Sequence, residues 1–433
     1  MKLSTLLLRM SVAIVTCLSQ RTYASRDIIE RNEIKAGNIK YVIERYKSGD
    51  RTIKATALQG EAFVAPRNQI CLKGEALAVT HLFFDGERRN AGSPAANVCI
   101  PRSITHLHSI EKYPISSVTF EPESQLTTLT WFVFSRANFS SICVPASVKA
   151  LRSSCLSNCP NLRSVTFEQG SQLETIERNV FSHDIRLKAI RIPAKVTVLE
   201  RGCFRECTKL ELVEFEKDSE LVCIEAMAFS LCSSLKSIAI PDSVETLQYG
   251  CFEWSGLEEV TFGKNSRLQN LGQAFRMNDY LLKIAIPSNV RKLEDSCFKN
   301  CYSLEQVTFA ADSKLESIGS DTFTECFNLA TITISAGVKR VPINCFNKCG
   351  LQSVIFESNE PIVIKRQAFY NCPNLQSITF KGQGLITIDS GAFRFCPNLT
   401  EINTSADIKV NEFEEDRDFF SIIHHGKELI FEK

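Results

Sequence analysis

Cysteine is the residue type whose number and spacing most directly suggest chemistry in this chain. The 433 residues include 18 cysteines, and most fall in two columns of a repeating motif. One column directly precedes a phenylalanine or leucine in alternate copies of the motif: Cys155, Cys203, Cys251, Cys297 and Cys345. The other follows that residue by three positions: Cys159, Cys207, Cys232, Cys301, Cys326, Cys349, Cys372 and Cys396. Disulfide bonds, metal binding and thiol catalysis are the three kinds of chemistry to weigh.

The spacing of these thiols favours a structural role. If successive copies stack as neighbouring strands about 4.8 Å apart, cysteines in alternate copies lie about 10 Å apart, beyond disulfide reach. The second column is continuous toward its C-terminal end, so disulfides between neighbouring copies stay open there. Stacked columns do not converge on one point, as metal ligands must. We therefore predict small, buried thiols and neither a metal nor another cofactor.

The histidines add no catalytic or metal-binding pattern. The six are His81, His106, His108, His183, His424 and His425. Neither close pair has a carboxylate or cysteine at ligand spacing, which favours solvated structural roles. No G-x-S-x-G, P-loop or G-x-G-x-x-G motif occurs in its required context. A cysteine nucleophile would need an exposed thiol beside a histidine, whereas most thiols here occupy repeated positions. We predict a protein that is not an enzyme.

The repeat that positions these residues is clearest at residues 304–328, which read LEQVTFAADSKLESIGSDTFTECFN. Its opening hexad, L-x-x-V-x-F or L-x-x-I-x-I, recurs at Leu162, Leu187, Leu210, Leu235, Leu257, Leu281, Leu304, Leu329, Leu351, Leu375 and Leu399. The interval of about 24 residues lies within the range of leucine-rich repeats. Apolar residues at hexad positions 1, 4 and 6 suit half-buried strands. One copy cannot bury its apolar face alone, so the copies must stack into a solenoid.

The predicted fold is a right-handed leucine-rich-repeat coil, capped at both ends, with a parallel β-sheet on its concave face and short turns on its convex face. Two kinds of copy alternate, one with V-x-F-E and the other with I-x-I-P, as in Val165–Glu168 and Ile238–Pro241. Each copy supplies one aromatic residue to the core. Phe229, Phe252 and Phe275 should therefore lie in one continuous stack.

Composition limits the partners. The chain carries 50 Lys and Arg against 49 Asp and Glu, with no long basic run, so a nucleic-acid partner has no support from the sequence. After the N-terminus no apolar run approaches the roughly 18 residues of a membrane span, so we expect no transmembrane anchor. The repeat predicts protein partners, and the oligomeric state stays open.

Four segments are predicted. Residues 1–25 resemble a secretory signal with a basic start and an apolar segment at Met10–Leu18, while a lipoprotein modified at Cys17 is the less favoured alternative. Residues 26–94 form an N-terminal cap and a degenerate first repeat, with strands at Ile39–Arg45 and Thr52–Ala57. The repeats occupy residues 95–404. Residues 405–433 form a capping hairpin with strands at Phe419–Ile423 and Glu428–Phe431.

The alternating copies resemble the BspA-type class of leucine-rich repeats. The resemblance rests on L-x-x-I-x-I-P-x-S-V at Leu235–Val244 and on C-F-x-x-C at Cys203–Cys207, and it extends over about residues 95–404. It implies a secreted or surface-displayed protein, of a kind found on bacteria and trichomonad protists, that adheres to host cells or extracellular matrix. An intracellular scaffold is the alternative if residues 1–25 are not removed. The resemblance supplies no catalytic residue.

Two sets of surface positions are candidates for function. Two residues after the core phenylalanine, three successive copies carry Leu231, Trp254 and Met277, with Tyr280 close by. We interpret them as an exposed apolar ridge that docks a protein, the alternative being local packing. Hexad position 5 should also face solvent, but its residues show no ligand pattern. Three N-x-[ST] sequons make Asn138, Asn398 and Asn403 candidate glycosylation sites.

Overall fold

The structure is a computed structural model that describes residues 97–107 and 115–411 with their side chains. Outside these ranges it describes only the backbone of strands. The predicted signal peptide, residues 1–25, lies outside the described residues, as do His108 and His425. The described chain is a parallel β-solenoid of about 13 turns with no helix, which confirms the predicted class of fold. One copy of the motif forms one coil.

The hexads form the first of two ladders of parallel strands. Apolar residues pair with apolar residues in register, as Ile190 pairs with Val213 and Ile284 with Val307. This register keeps every core-facing residue on one side. The strands are Ala96–Ile100, Ile115–Phe120, Ser141–Val144, Ser164–Phe167, Ala189–Ile192, Leu212–Phe215, Ser237–Ile240, Glu259–Phe262, Lys283–Ile286, Gln306–Phe309, Thr331–Ile334, Ser353–Phe356, Ser377–Phe380 and Glu401–Asn403.

The second half of each coil, predicted as a turn, contributes a short strand to a second ladder. Its last residue is buried, as Leu247 and Leu271 are. Most of these strands have only two residues, which is too short to show an alternation of apolar and polar residues in the sequence. The sequence therefore predicts only the hexad strands. The strands are His81–Leu82, His106–Leu107, Thr128–Leu129, Ala150–Leu151, Thr175–Ile176, Val198–Leu199, Cys223–Ile224, Thr246–Leu247, Asn270–Leu271, Lys292–Leu293, Ser317–Ile318, Arg340–Val341, Ile362–Ile364, Ile386–Ile388 and Ile408–Val410.

Antiparallel strands flank the solenoid in sequence. Ile28–Ala36, Ile39–Tyr46 and Arg51–Ala57 pair in order, and the third continues into the second ladder through His81–Leu82. Gln69–Leu72 pairs with Glu75–Ala78, and Phe419–His424 pairs with Lys427–Glu432. The predicted strands are thereby confirmed, whereas the domain boundaries and the capping role of the tail stay predictions.

A stack of phenylalanine rings runs through the core, as predicted. Phe229, Phe252 and Phe275 are fully buried, with ring centroids 5.5 Å apart and planes within 5° of parallel. The stack continues in both directions through Phe181, Phe204, Phe298, Phe323, Phe346, Phe369 and Phe393. Since each ring covers its neighbours, removing one would expose two others and leave a cavity.

The two cysteine columns are buried beside this stack, as predicted, and all 13 residues are free thiols. In the second column the thiol donates a hydrogen bond to a backbone carbonyl of the preceding coil, which belongs to a phenylalanine except for Cys349; Cys232 Sγ donates to Phe204 O at 3.2 Å. Asn278 replaces cysteine in this column, and its Nδ2 donates to the carbonyls of Phe252 and Phe275. A cysteine or asparagine in this column therefore both fills a small buried space and supplies a hydrogen-bond donor.

Glutamate links the two alternating kinds of coil. The V-x-F-E glutamate reaches back to the coil before it, where its carboxylate accepts a hydrogen bond from the backbone N–H after the proline. Glu168 accepts from Ala146 at 2.9 Å, and Glu216 accepts from Ala194 at 3.1 Å. Proline ends the strand there without loss of an interior hydrogen bond. Where the glutamate is present, a coil with V-x-F-E is thus bonded to the I-x-I-P or equivalent coil before it.

Candidate functional site

The residues two positions after the core phenylalanine share an unusual backbone conformation. Each has a φ between 54° and 64°, in the left-handed region that non-glycine residues seldom adopt. The column comprises Asn158, His183, Glu206, Leu231, Trp254, Met277, Asn300, Glu325, Lys348, Asn371 and Phe395. Asparagine tolerates this conformation best among non-glycine residues. Leucine, tryptophan and methionine tolerate it less well, so their presence in three successive coils calls for a reason other than backbone preference.

Trp254 and its neighbours in this column do not pack into the core. The Trp254 side chain is 49% exposed, and Leu231 and Met277 are half-buried. Beneath them Ser255 and Asn278 replace the column cysteines, and Ser255 Oγ donates to Asn278 Oδ1. The two polar substitutes satisfy each other. These two buried side chains are therefore satisfied without the Trp254 side chain.

A turn that is one residue shorter makes room for Tyr280. Most coils have two residues between the column cysteine and the next hexad, but Ser255 is followed by Gly256 alone. A side chain at Gly256 would collide with the carbonyl of Ser233. Tyr280, in the next coil, is 57% exposed and extends past this gap, where Lys236 Nζ lies 4.7 Å from its ring centroid. The cation–π contact holds the ring on the surface.

Two further aromatic residues continue the exposed face. Tyr302 and Phe327 directly follow column cysteines in successive coils, and their rings stack with centroids 5.3 Å apart. Phe327 is 51% exposed, and in the next coil Gly350 occupies the equivalent position. A Cβ at Gly350 would collide with the carbonyl of Phe327, so no side chain covers the ring from that coil.

We call Trp254, Met277, Tyr280, Tyr302 and Phe327 the aromatic turn surface. It occupies the turns of four successive coils, and the structure brings together three residues of the predicted ridge. Leu231 lies in the coil before Trp254. Sequence reasoning missed Tyr302 and Phe327 because they belong to a different column, the residue after the cysteine. The signal in the sequence is an aromatic residue directly after the column cysteine in two successive copies.

Hexad position 5 faces solvent, as predicted. Its side chains are exposed in most coils and half-buried at Ile355 and Thr379. A groove of about 860 Å³ follows this face between Arg191 and Gly263. Its charged residues include an ion pair between Arg191 and Glu216 at 3.8 Å. This mixed lining gives the groove no clear ligand preference.

One side-chain relay resembles a hydrolytic triad but lacks an accessible nucleophile. Ser182 Oγ lies 2.7 Å from His183 Nδ1, and His183 Nε2 lies 3.1 Å from a Glu206 carboxylate oxygen. Ser182 is only 4% exposed, so no substrate carbonyl can approach its hydroxyl. Within the described part of the chain, no group of three or more His, Cys, Asp or Glu residues could hold a metal ion.

The candidate glycosylation sites lie at the surface. Asn138, Asn398 and Asn403 are all exposed. Asn398 Nδ2, the atom that would carry a glycan, donates to the carbonyl of Pro373 at 2.7 Å. Asn403 belongs to the last hexad strand, Glu401–Asn403. Their modification stays a prediction.

Comparison with known protein families shows which family the repeat motif belongs to. The sequence profile of the BspA type leucine rich repeat region matches six copies, at residues 94–211, 202–315 and 309–417. The chain belongs to the BspA-type leucine-rich repeat family. Proteins with BspA-type repeats and this solenoid fold are typically structural or binding proteins rather than enzymes. No protein of curated function matches the sequence significantly.

A solved structure of another leucine-rich repeat protein shares this architecture. A leucine-rich repeat protein from Bacteroides ovatus is 18% identical, with a TM-score of 0.53 over 90% of this chain and 99% of that one. The pneumococcal vaccine antigen PcpA is also 18% identical, with a TM-score of 0.46 over 88% and 99% of the two chains. At this identity the Bacteroides structure supports the leucine-rich-repeat fold alone. No helix among the described residues is long and apolar enough to cross a membrane.

Proposed function

We propose that this BspA-type repeat protein is secreted or displayed on the cell surface, where it binds a protein of host cells or extracellular matrix. The observation that carries the proposal is the aromatic turn surface, in which Trp254, Tyr280 and Phe327 are each about half exposed. The partner would cover this surface. Family membership supports a binding role, and the basic and apolar segment at the N-terminus supports export.

The chemistry of the surface suits protein recognition. Tryptophan, tyrosine and methionine are enriched where proteins contact each other. Tryptophan and tyrosine bury much area with few rotatable bonds, and flexible methionine adapts to the partner. Contiguous exposed apolar patches of this kind are uncommon on proteins without a partner. Lys236, held over Tyr280, forms an ion pair with Glu258 at 2.9 Å and provides a charged rim. An apolar centre with a charged rim is the usual arrangement of a protein interface.

The proposal is tested with immobilised extracellular matrix from which cells have been removed, and with intact epithelial cells. Trp254→Asn and Phe327→Ser introduce residues found at the equivalent positions of other coils, such as Asn300 and Ser233. The variants should therefore keep the fold. We expect the double variant to lose at least tenfold in binding to one of these two probes. Phe395→Asn is the matched control, because Phe395 is 43% exposed in the same column but lies five coils away from the Met277 coil.

Two outcomes would contradict the proposal. If Phe395→Asn lowers binding as much as the double variant does, the loss does not depend on the aromatic turn surface. If the wild-type protein binds neither matrix nor cells, the proposed adhesive function is wrong, whatever the variants do.

A further inference from the structure

Three basic side chains meet at a surface cavity on the second ladder. Arg267, Arg291 and Lys314 line a cavity of about 290 Å³ together with Gln269, Asn289 and Glu245. Arg267 and Lys314 are far apart in sequence but occupy the same column two coils apart, a separation of about 10 Å. The solenoid therefore creates a local positive charge that no basic run in the sequence reveals.

The charge of this cavity is only partly neutralised. Arg291 forms an ion pair with Glu316. Lys314 Nζ donates to Asn289 Oδ1 at 2.7 Å, a neutral acceptor. Arg267 makes no ion pair within the described ranges. Glu245 is the one acid that lines the cavity, so three cations outweigh one carboxylate there.

The positive strip extends into the following coils. Lys339 and Arg340 continue it in the coil after Lys314, and the Lys339 ion pair with Glu360 is 3.8 Å long between two well exposed side chains. Such pairs are weak and readily exchanged. In the preceding coils the columns of Arg267 and Arg291 carry Glu220 and Glu174 besides Lys195, so cations are concentrated in the downstream coils.

We propose that Arg267, Arg291, Lys314, Lys339 and Arg340, here called the cation strip, bind a sulfated glycan. Sulfate groups recur along such a chain, as the cations recur along the solenoid axis. The guanidinium groups can each donate two parallel hydrogen bonds to a sulfate. Single-stranded nucleic acid fits less well, because the residues that line the cavity include no aromatic side chain on which a base could stack.

Heparin, a heavily sulfated glycan, is the probe. Wild-type protein should bind heparin at 50 mM NaCl, and the logarithm of its affinity should fall with the logarithm of salt concentration with a slope of about −2 to −3, as expected when three or four anions are neutralised. Arg267→Gln with Lys314→Gln should weaken binding at least tenfold and flatten the slope. Glu245→Gln removes the acid that lines the cavity and should strengthen binding about twofold to threefold.

The control is Lys188→Gln with Lys209→Gln, which removes the same net charge from exposed sites on the first ladder and its turn. Thermal unfolding checks that all variants are folded. Equal loss in the control would overturn the proposal, because the effect would then be one of net charge. Single-stranded DNA that binds as tightly as heparin would overturn the assignment to sulfated glycans. Both strip substitutions leave the aromatic turn surface intact, so either binding function can fail without the other.

Discussion

Cys207 Sγ donates a hydrogen bond to the backbone carbonyl of Phe181, 3.0 Å away in the preceding coil. The same bond recurs along the column, from Cys301 to Phe275 at 3.1 Å and from Cys396 to Phe369 at 2.9 Å. Each thiol fills a small buried space and also ties its coil to the one before. This double role explains why cysteine recurs in a position that alanine could fill by size alone.

Removing one such thiol should weaken the solenoid locally. Cys301→Ala loses the donor and leaves a small cavity, so we expect a loss of about 1–2 kcal/mol in the free energy of unfolding. Cys301→Ser keeps a donor, as Ser255 does in the same column, and should lose less. Urea unfolding followed by circular dichroism measures both. Equal losses would show that the volume of the sulfur matters and its hydrogen bond does not.

Alkylation should separate the structural thiols from the one exposed thiol among the described residues. Burial raises the pKa of Cys301 and Cys349 to about 12 each, and only a thiolate reacts with iodoacetamide. Cys143 is exposed at hexad position 5. We expect Cys143 to be labelled in the native protein and the two cysteine columns only after unfolding in urea. Mass spectrometry of peptides, with Cys143→Ser as the control, gives the result. Rapid native labelling of Cys301 would contradict the stacked core.

The hexad pattern predicted the strands, the phenylalanine stack and the burial of the thiols because each depends on one apolar residue type at a fixed interval. Trp254 and Met277 could be predicted as surface residues. Their left-handed backbone conformation could not, because such side chains normally avoid a positive φ. The cation strip was missed for another reason. Its residues are neighbours only across coils, and no run of basic residues in the sequence brings them together.

Asp184 replaces a column cysteine and should make stability depend on pH. It is fully buried, its Oδ1 accepts from Cys159 N at 2.7 Å, and its Oδ2 has no hydrogen-bond partner. Burial raises the pKa of Asp184 well above its usual value of 3.8. The folded state thus retains the proton while the unfolded state ionises, so the stability contribution is present below about pH 4 and falls as pH rises.

Asp184→Asn should therefore raise the melting temperature at pH 7 and have much less effect at pH 4. We expect a gain of about 1–3 kcal/mol at neutral pH, since asparagine does not ionise in the unfolded state and so removes the free energy that favours unfolding there. The reciprocal variant, Asn278→Asp, should lose stability at pH 7 and recover most of it at pH 4. Shifts that are equal at both pH values would contradict this account.

Glu200 should produce a second pH dependence, nearer to neutrality. Burial, together with Glu177 and Glu225 in the adjacent coils, raises the pKa of Glu200 from 4.5 to about 7. Between these values the unfolded state loses the proton and the folded state keeps it, so stability falls as pH rises. Glu200→Gln should remove this fall and gain about 1–2 kcal/mol above pH 7, after allowance for solvent screening.

Urea midpoints measured from pH 4 to pH 8 test the role of Glu200. Gln248 provides the precedent, because its side-chain oxygen accepts from Ala226 N at 3.3 Å, as Glu200 accepts from Arg178 N at 3.1 Å. Glu245→Gln is the control, since it removes one carboxylate beside the same ladder and so makes the same change in net charge. An unchanged pH profile in Glu200→Gln would show that neighbouring carboxylates do not affect this residue.

Trp254→Asn should separate binding from stability. Trp254 has a φ of 57° and a half-exposed side chain, whereas asparagine accepts this backbone conformation at lower cost. If Trp254 serves a partner, the variant should be as stable as the wild type or more stable by about 0.5–1 kcal/mol, while its binding to matrix or cells falls. If Trp254 instead packs locally, the same variant should lose stability. Thermal unfolding and binding measured on one preparation decide between the two, because only a recognition role predicts that stability and binding move in opposite directions.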